Sequence, residues 1–179
     1  MKKKEIKAKV NTLLGSGVGK TAVFRLLADH GVRDSLLAHY IASHVDPAEV
    51  DEHANKIDRL LWVMYAQALF GLWIGWNLGA SYGPVGQGLL VALCAGIPLL
   101  FAWGFYKNMA GAYNAYILLQ IVQLPKAFKD FNAEPVITLL ATAISLAVLA
   151  YVWYVRSKLF PDFLAFTPKK RSGTYVFVS

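Results

Sequence analysis

Two long stretches without any charged side chain dominate this sequence. Residues 60–106 contain no Asp, Glu, Lys or Arg, and neither do residues 136–155. A helix that crosses a lipid bilayer needs about 20 predominantly apolar residues. The first stretch is therefore long enough for two such helices, and the second is long enough for one. This pattern predicts an all-α membrane protein.

The composition agrees with this interpretation. Of the 179 residues, 56% are hydrophobic and only 16% are charged, whereas roughly 25% of the residues in soluble domains are charged. The single cysteine, Cys94, lies in the first charge-free stretch, so no disulfide forms within the chain. No cleavable signal peptide is visible near the basic start, and we expect the first span to act as an uncleaved signal.

The net charge of +7 is concentrated in two basic clusters. They consist of Lys2, Lys3, Lys4, Lys7 and Lys9, and of Arg156, Lys158, Lys169, Lys170 and Arg171. Basic residues beside apolar spans favour the cytoplasmic side and attract anionic lipid headgroups. We therefore predict cytoplasmic N- and C-termini and no nucleic-acid partner.

Four spans place both basic clusters in the cytoplasm. We predict them at about residues 60–80, 85–106, 109–128 and 136–155. The third is the weakest, because polar residues and a proline interrupt it, so it either crosses the membrane or lies at its surface. A three-span arrangement would put the second basic cluster outside, against the positive-inside pattern.

The remaining segments predict a small helical cytoplasmic cap and a tail. Residues 1–20 form a basic arm and a glycine-rich linker, and the arm fits either a surface helix or a disordered segment. Residues 21–59 predict short helices that begin near Thr21, Asp34 and Pro47, the last running unbroken into the first span. Residues 156–179 form a basic tail, whose alternating end fits a small hairpin.

Three patterns resemble functional motifs but lack required features. Residues 15–21 resemble a phosphate-binding loop, but Leu14 stands where that motif needs a glycine. Residues 21–43 resemble a helix-turn-helix whose second helix has no Arg or Lys. The four histidines lack the i, i+4 spacing of paired metal ligands. Without a nucleophile elbow or paired carboxylates, we expect no catalytic, cofactor-binding or metal-binding residues.

Four glycines recur at intervals of four residues along and just after the first span. They are Gly71, Gly75, Gly79 and Gly83. Small residues at this spacing, a glycine zipper, let another helix approach closely. This face packs against the chain's own helices or against a second copy, and packing within the chain is the simpler reading.

The polar side chains within the spans are mainly amides, and the three clear spans at residues 60–80, 85–106 and 136–155 contain no Asp, Glu, Lys or Arg. We expect polar contacts between helices from Gln67, Asn77, Asn114, Gln120 and Gln123. An ion-coupled transporter usually needs a buried charged group in the membrane. The amides of the third span form only a loose stripe, which argues against a pore.

Four segments carry a resemblance to known proteins: WGFYKN at residues 103–108, AGAYNAY at 110–116, RSKLFPD at 156–162 and GTYVF at 173–177. Through them the chain resembles small, uncharacterised bacterial inner-membrane proteins. That resemblance implies a location and a bacterial origin but no activity. In its size and its several spans, the chain is also similar to multi-span immunity proteins that neutralise interbacterial toxins.

Together these observations predict a non-enzymatic inner-membrane protein without cofactors. Its expected partners are the lipid bilayer and a membrane protein or membrane-active toxin, with a homo-oligomer as a further assembly. A small oligomeric channel or carrier is the alternative function.

Overall fold

The computed structural model describes residues 3–28, 31–127 and 135–178, and most of them are helical. The chain divides into two compact units. The first unit comprises residues 1–50 and 157–179, and the second comprises residues 51–156. The tail, expected as a separate segment, therefore belongs to the same unit as the N-terminal helices.

Three short helices begin the first unit: α1 (Lys3–Gly15), α2 (Lys20–Ala28) and α3 (Asp34–Ala42). Between α1 and α2, Gly17 has a φ of +84°, a conformation that favours glycine. The buried apolar residues of these helices are Ile6, Val10, Val23, Leu27, Leu37, Ala38, Ile41 and Ala42. The basic arm is thus a helix with a buried apolar face.

The tail forms two short antiparallel hairpins. Strand β1 (Phe163–Leu164) pairs with β2 (Thr167–Pro168), and β3 (Lys170–Arg171) pairs with β4 (Thr174–Tyr175). The ring of Phe24 on α2 lies 5.6 Å from that of Tyr175 and 5.7 Å from that of Phe177. These aromatic contacts attach the tail to the N-terminal helices.

Helix α4 (Pro47–Glu52) corrects one expectation. Asp46 caps it as the sequence indicates, because the Asp46 Oδ1 accepts a hydrogen bond from the Ala48 N–H at 3.0 Å. The prediction that this helix runs unbroken into the first span is wrong. His53, with φ −108° and ψ 10°, leaves the helical conformation and precedes a new helix. The break consists of one residue, and no glycine or proline lies beside it to signal it in the sequence.

Four long helices follow. They are α5 (Ala54–Gly79), α6 (Gly83–Tyr106), α7 (Ala110–Ala127) and α8 (Pro135–Leu159), with a 3-10 turn at Ala80–Tyr82. Helices α5 and α6 pack closely against each other along their length. Asn108, with φ +49°, makes the tight turn between α6 and α7.

Two helical segments of the described chain are long and apolar enough to cross a membrane. One is Ala54–Tyr106, which contains α5, the 3-10 turn and α6, and the other is Pro135–Leu159, which is α8. Helix α7 is not among them. By length and composition, the described residues therefore give two candidate segments and not four.

Candidate functional site

Three of the four predicted zipper glycines lie against α6. A Cβ atom on Gly75 would be 2.7 Å from the Val91 Cα, and one on Gly79 would be 2.6 Å from the Gln87 Cα. Gly71 faces the backbone of Cys94 in the same way. Helix α6 therefore occupies this face. Gly83 lies outside it, in the turn, with φ +73°, and a Cβ atom there would meet nothing within 4 Å.

Tyr116 connects two of the predicted amides. Its hydroxyl accepts a hydrogen bond from Gln120 Nε2 at 2.9 Å and lies 3.3 Å from Gln67 Nε2. Gln67 is on α5 and Tyr116 on α7, so this network joins the two helices inside the bundle. Tyr116 is only 2% exposed. Its role was not predictable from the sequence, because an aromatic residue in an apolar segment gives no polar signal.

Asn114 forms a second link, between α7 and α8. Its Oδ1 accepts a hydrogen bond from Arg156 Nε at 2.6 Å. Arg156 is 2% exposed, and its guanidinium lies 5.5 Å from the centre of the Trp153 ring. This arginine was expected to be a flanking charge, but it is part of the buried helix contact. By contrast, the hydrogen bond that Asn77 donates to the Trp73 carbonyl stays within α5.

A polar cavity of about 290 Å³ lies between the C-terminal half of α7 and the N-terminal half of α8. Its lining residues are Gln120, Gln123, Leu124, Lys126, Thr142 and Ser145. Thr142 is 6% exposed, and its hydroxyl has no hydrogen-bond partner within the described residues. Gln123, one of the predicted amides, thus faces a cavity and not a helix contact.

An apolar groove of about 520 Å³ also lies between α7 and α8. It is lined by Ile117, Ile121, Leu146, Leu149, Ala150 and Trp153. It shares no lining residue with the polar cavity. We call the two cavities together the α7–α8 seam.

The first unit contains a different polar feature. Asp162 is fully buried, and its Oδ2 lies 2.6 Å from Lys20 Nζ. Its Oδ1 accepts a hydrogen bond from the Val178 N–H at 2.5 Å. Lys20, part of the pattern that resembles a phosphate loop, is therefore engaged in holding the tail.

A groove of about 440 Å³ in the first unit lies between α3 and the first hairpin and includes Arg33, His39 and Phe166. Burial lowers the pKa of His39. The pKa of His44 is also lowered, first by burial and then by the positive charge of Lys20. Both histidines are therefore neutral near pH 7.

The residues that line the α7–α8 seam offer hydrogen bonds, one ammonium group and apolar surface. Within the described part of that lining, no carboxylate or histidine is present to act as a general acid or base. The chemistry available is that of binding. Comparisons of the chain with protein-family models, curated proteins and solved structures find no match.

Proposed function

We propose that this chain is a four-span integral inner-membrane protein that binds a protein partner in the membrane and catalyses no reaction. The observation that carries the proposal is the exposure of its most apolar helices. In the most apolar windows of Ala54–Tyr106 and Pro135–Leu159, only 22% and 11% of the residues are buried. A core helix of a soluble protein buries most of such a surface, whereas a spanning helix turns it toward lipid.

The distribution of aromatic residues in the second unit supports the same environment. At one end of the α5–α6 hairpin, Trp62 and Trp103 are exposed, and at the turn end Trp76 and Tyr82 are exposed. The exposed side chains between them are mainly aliphatic and Phe, such as Leu93 on α6. Trp and Tyr favour the two headgroup regions of a bilayer. The hairpin therefore has the polarity profile of two spans.

Helix α7 supplies the remaining span in this proposal. Its 18 residues extend over about 27 Å, close to the roughly 30 Å of a bilayer core. Tyr113 and Ile117 are buried in the bundle, while Leu118 and Val122 are 55% and 57% exposed. The amides that lower its mean hydropathy face other helices or the seam. Four spans also keep both basic clusters on the cytoplasmic side.

The arrangement of polar groups favours binding over transport. Gln67, Gln120 and Asn114 are used in contacts between helices. The polar cavity is lined by residues near one end of α7 and α8 only, so the described residues of a single chain offer no continuous polar path along these helices. A channel or carrier, the alternative function, would have to assemble its path from several copies.

The exposed aromatic side chains of α5 are suited to a protein partner. Phe70 and Trp73 are 60% and 62% exposed and stack with their ring centres 5.7 Å apart. Large aromatic residues dominate the binding energy of protein interfaces. A membrane-active toxin is the more specific partner that we propose, which would make the chain an immunity protein.

The test is an affinity purification of the full-length chain from native membranes in mild detergent. We expect one foreign membrane protein at stoichiometric amount in the intact mass of the complex. Trp73→Ala should lose this partner, whereas Leu100→Ala, which removes an exposed apolar side chain from α6, should retain it. A homo-oligomer alone would contradict the proposal and direct the work to flux assays in liposomes.

Topology is tested separately with reporter fusions after Gly83, Lys129 and Ser179. The four-span arrangement predicts reports from outside, outside and inside, respectively. An outside report at Ser179 would overturn the four-span proposal whatever the purification gives.

A further inference from the structure

We propose that Glu49, Glu52 and His53 form a binding site for one divalent transition-metal ion such as Zn²⁺. All three belong to α4 or to the residue that follows it, so the local backbone of one short segment sets their spacing. The expectation of no metal-binding residues considered pairs of histidines, whereas the i, i+4 pair here is Glu49 and His53. The inference goes beyond the proposed function and does not depend on a protein partner.

The ligand atoms of the three side chains are already close together. One carboxylate oxygen of each glutamate and one ring nitrogen of His53 all lie within 4.8 Å of one another. His53 Nδ1 is 3.8 Å from Glu52 Oε1, which is too long for a hydrogen bond. An ion with bonds of about 2.0–2.2 Å to nitrogen and oxygen holds two of its ligand atoms about 3–4 Å apart. Small rotations of the glutamate side chains would therefore complete the site.

His53 is the residue that most clearly indicates a ligand. It is 4% exposed, and neither of its ring nitrogens has a hydrogen-bond partner within the described residues. An imidazole carries at least one N–H donor, so burying both nitrogens unpaired is unfavourable. A metal ion bound to one nitrogen would offset part of this cost. The Glu52 side chain is 74% exposed, so an ion can reach the site from solvent.

The charges around the site favour a cation. Although the net charge of the chain is +7, four of its 11 acidic side chains lie close together in sequence: Asp46, Glu49, Asp51 and Glu52. Glu49 lies in the first turn of α4, where the helix dipole stabilises a negative charge. Glu52 is the last residue of α4, where that dipole favours positive charge, and the last turn of this fully described helix has no basic residue. A bound cation would neutralise Glu52.

The mixture of ligand types selects the class of metal. Imidazole suits Zn²⁺ and other first-row transition metals, whereas Mg²⁺ and Ca²⁺ prefer oxygen ligands alone. Two carboxylates and one imidazole leave a coordination position for water. A purely acidic surface would not distinguish Zn²⁺ from Mg²⁺, so selectivity for Zn²⁺ is the property that the proposal predicts.

The test is isothermal titration calorimetry of the full-length chain with ZnCl₂. The protein carries no polyhistidine tag, is freed of metal with a chelator that is then removed, and is held in mild detergent at pH 7.5. We expect one Zn²⁺ per chain, with an affinity that an excess of Mg²⁺ does not change. Co²⁺ bound at the same site should give visible absorption bands that added Zn²⁺ removes.

Substitutions with matched controls assign the ligands. Glu49→Gln and Asp51→Asn each remove one negative charge from α4, but the two positions lie about 200° apart around the helix axis. Removing an outer partner of a ligand already weakens metal sites about 10–100-fold, so Glu49→Gln should weaken Zn²⁺ binding by about tenfold or more. Asp51→Asn, at an exposed position outside the site, should change it by less than about twofold. His53→Gln should abolish the Co²⁺ absorption, and His44→Gln should retain it.

Glu49 is only half-buried, so Glu49→Gln tests the site even if His53→Gln fails to fold. The proposal is overturned if the chain binds no Zn²⁺ at stoichiometric amount, or if Asp51→Asn weakens binding as much as Glu49→Gln. Competition by Mg²⁺ at equal concentration would also overturn it, because a diffuse acidic surface would then account for the binding. No partner protein is present in the titration, so its result is independent of the purification experiment.

Discussion

Replacing Gly75 with alanine tests the packing of the α5–α6 hairpin. A Cβ atom at this position would lie 2.7 Å from the Val91 Cα, 2.9 Å from the Val91 N and 3.0 Å from the Leu90 O. All three are backbone atoms of α6, so no flexible side chain can move away. The added methyl group must therefore push the two helices apart.

The size of the effect follows from the distance. Ordinary contacts begin at 3.4 Å, so the backbones must separate by about 0.7 Å near Gly75. A gap of this size loses a quarter to a half of the dispersion energy of each affected atom pair, and overpacking of this kind costs about 1–3 kcal/mol. Because alanine has a higher helix propensity than glycine, the substitution also stabilises α5 by about 1 kcal/mol. We expect a net loss of about 0–2 kcal/mol in the free energy of unfolding.

Gly96→Ala is the matched control. Gly96 lies on α6, and a Cβ atom there would meet nothing within 4 Å. The same substitution should be neutral or stabilise the chain by up to about 1 kcal/mol. Reversible unfolding in mixed detergent micelles, followed by circular dichroism, compares the two proteins. Equal stabilities of Gly75→Ala and Gly96→Ala would refute the packing argument.

Three further predictions concern polar groups. Asp162→Ala should destabilise the first unit by about 3–5 kcal/mol in chemical unfolding because it leaves Lys20 unpaired, and adding Lys20→Met should recover part of that loss. Tyr116→Phe should lower the free energy of unfolding by about 0.6–1.7 kcal/mol, as measured in the detergent assay, by breaking the link from α5 to α7. Burial lowers the pKa of His39 from 6.5, so its contribution to stability is complete above pH 6.5 and is lost as the pH falls through its folded-state pKa. The protection factors of the α3 amides, which correct for the intrinsic slowing of hydrogen exchange at lower pH, should therefore decrease as the pH is lowered below 6.5, and decrease less in His39→Gln.

The long helices were predictable from the sequence because uninterrupted apolar runs determine them. The expected segments at residues 60–80, 85–106, 109–128 and 136–155 each overlap one of the helices α5 to α8. The Gly-Pro at residues 83–84 marked the turn between the first two. Local chemistry was sufficient for these features, since each depends on neighbours within a few residues.

The features that the sequence did not reveal all depend on residues far apart in the chain. The ion pair of Lys20 and Asp162 joins positions 142 residues apart, and neither side chain has a distinctive local pattern. Thr142 is an ordinary threonine in an apolar segment until α7 is placed beside it. The buried state of Arg156 depends in the same way on Asn114. Spacing rules for a single helix cannot detect such pairs.

The two halves of the second unit differ in how completely their helices are packed. Along α5 and α6, three glycines bring the backbones into contact, so that interface is complete. Between α7 and α8, the Asn114–Arg156 link is made at one end, but Thr142 and Gln123 face an open polar cavity at the other. In an apolar medium, a buried donor without a partner costs free energy that a closely packed apolar contact would avoid.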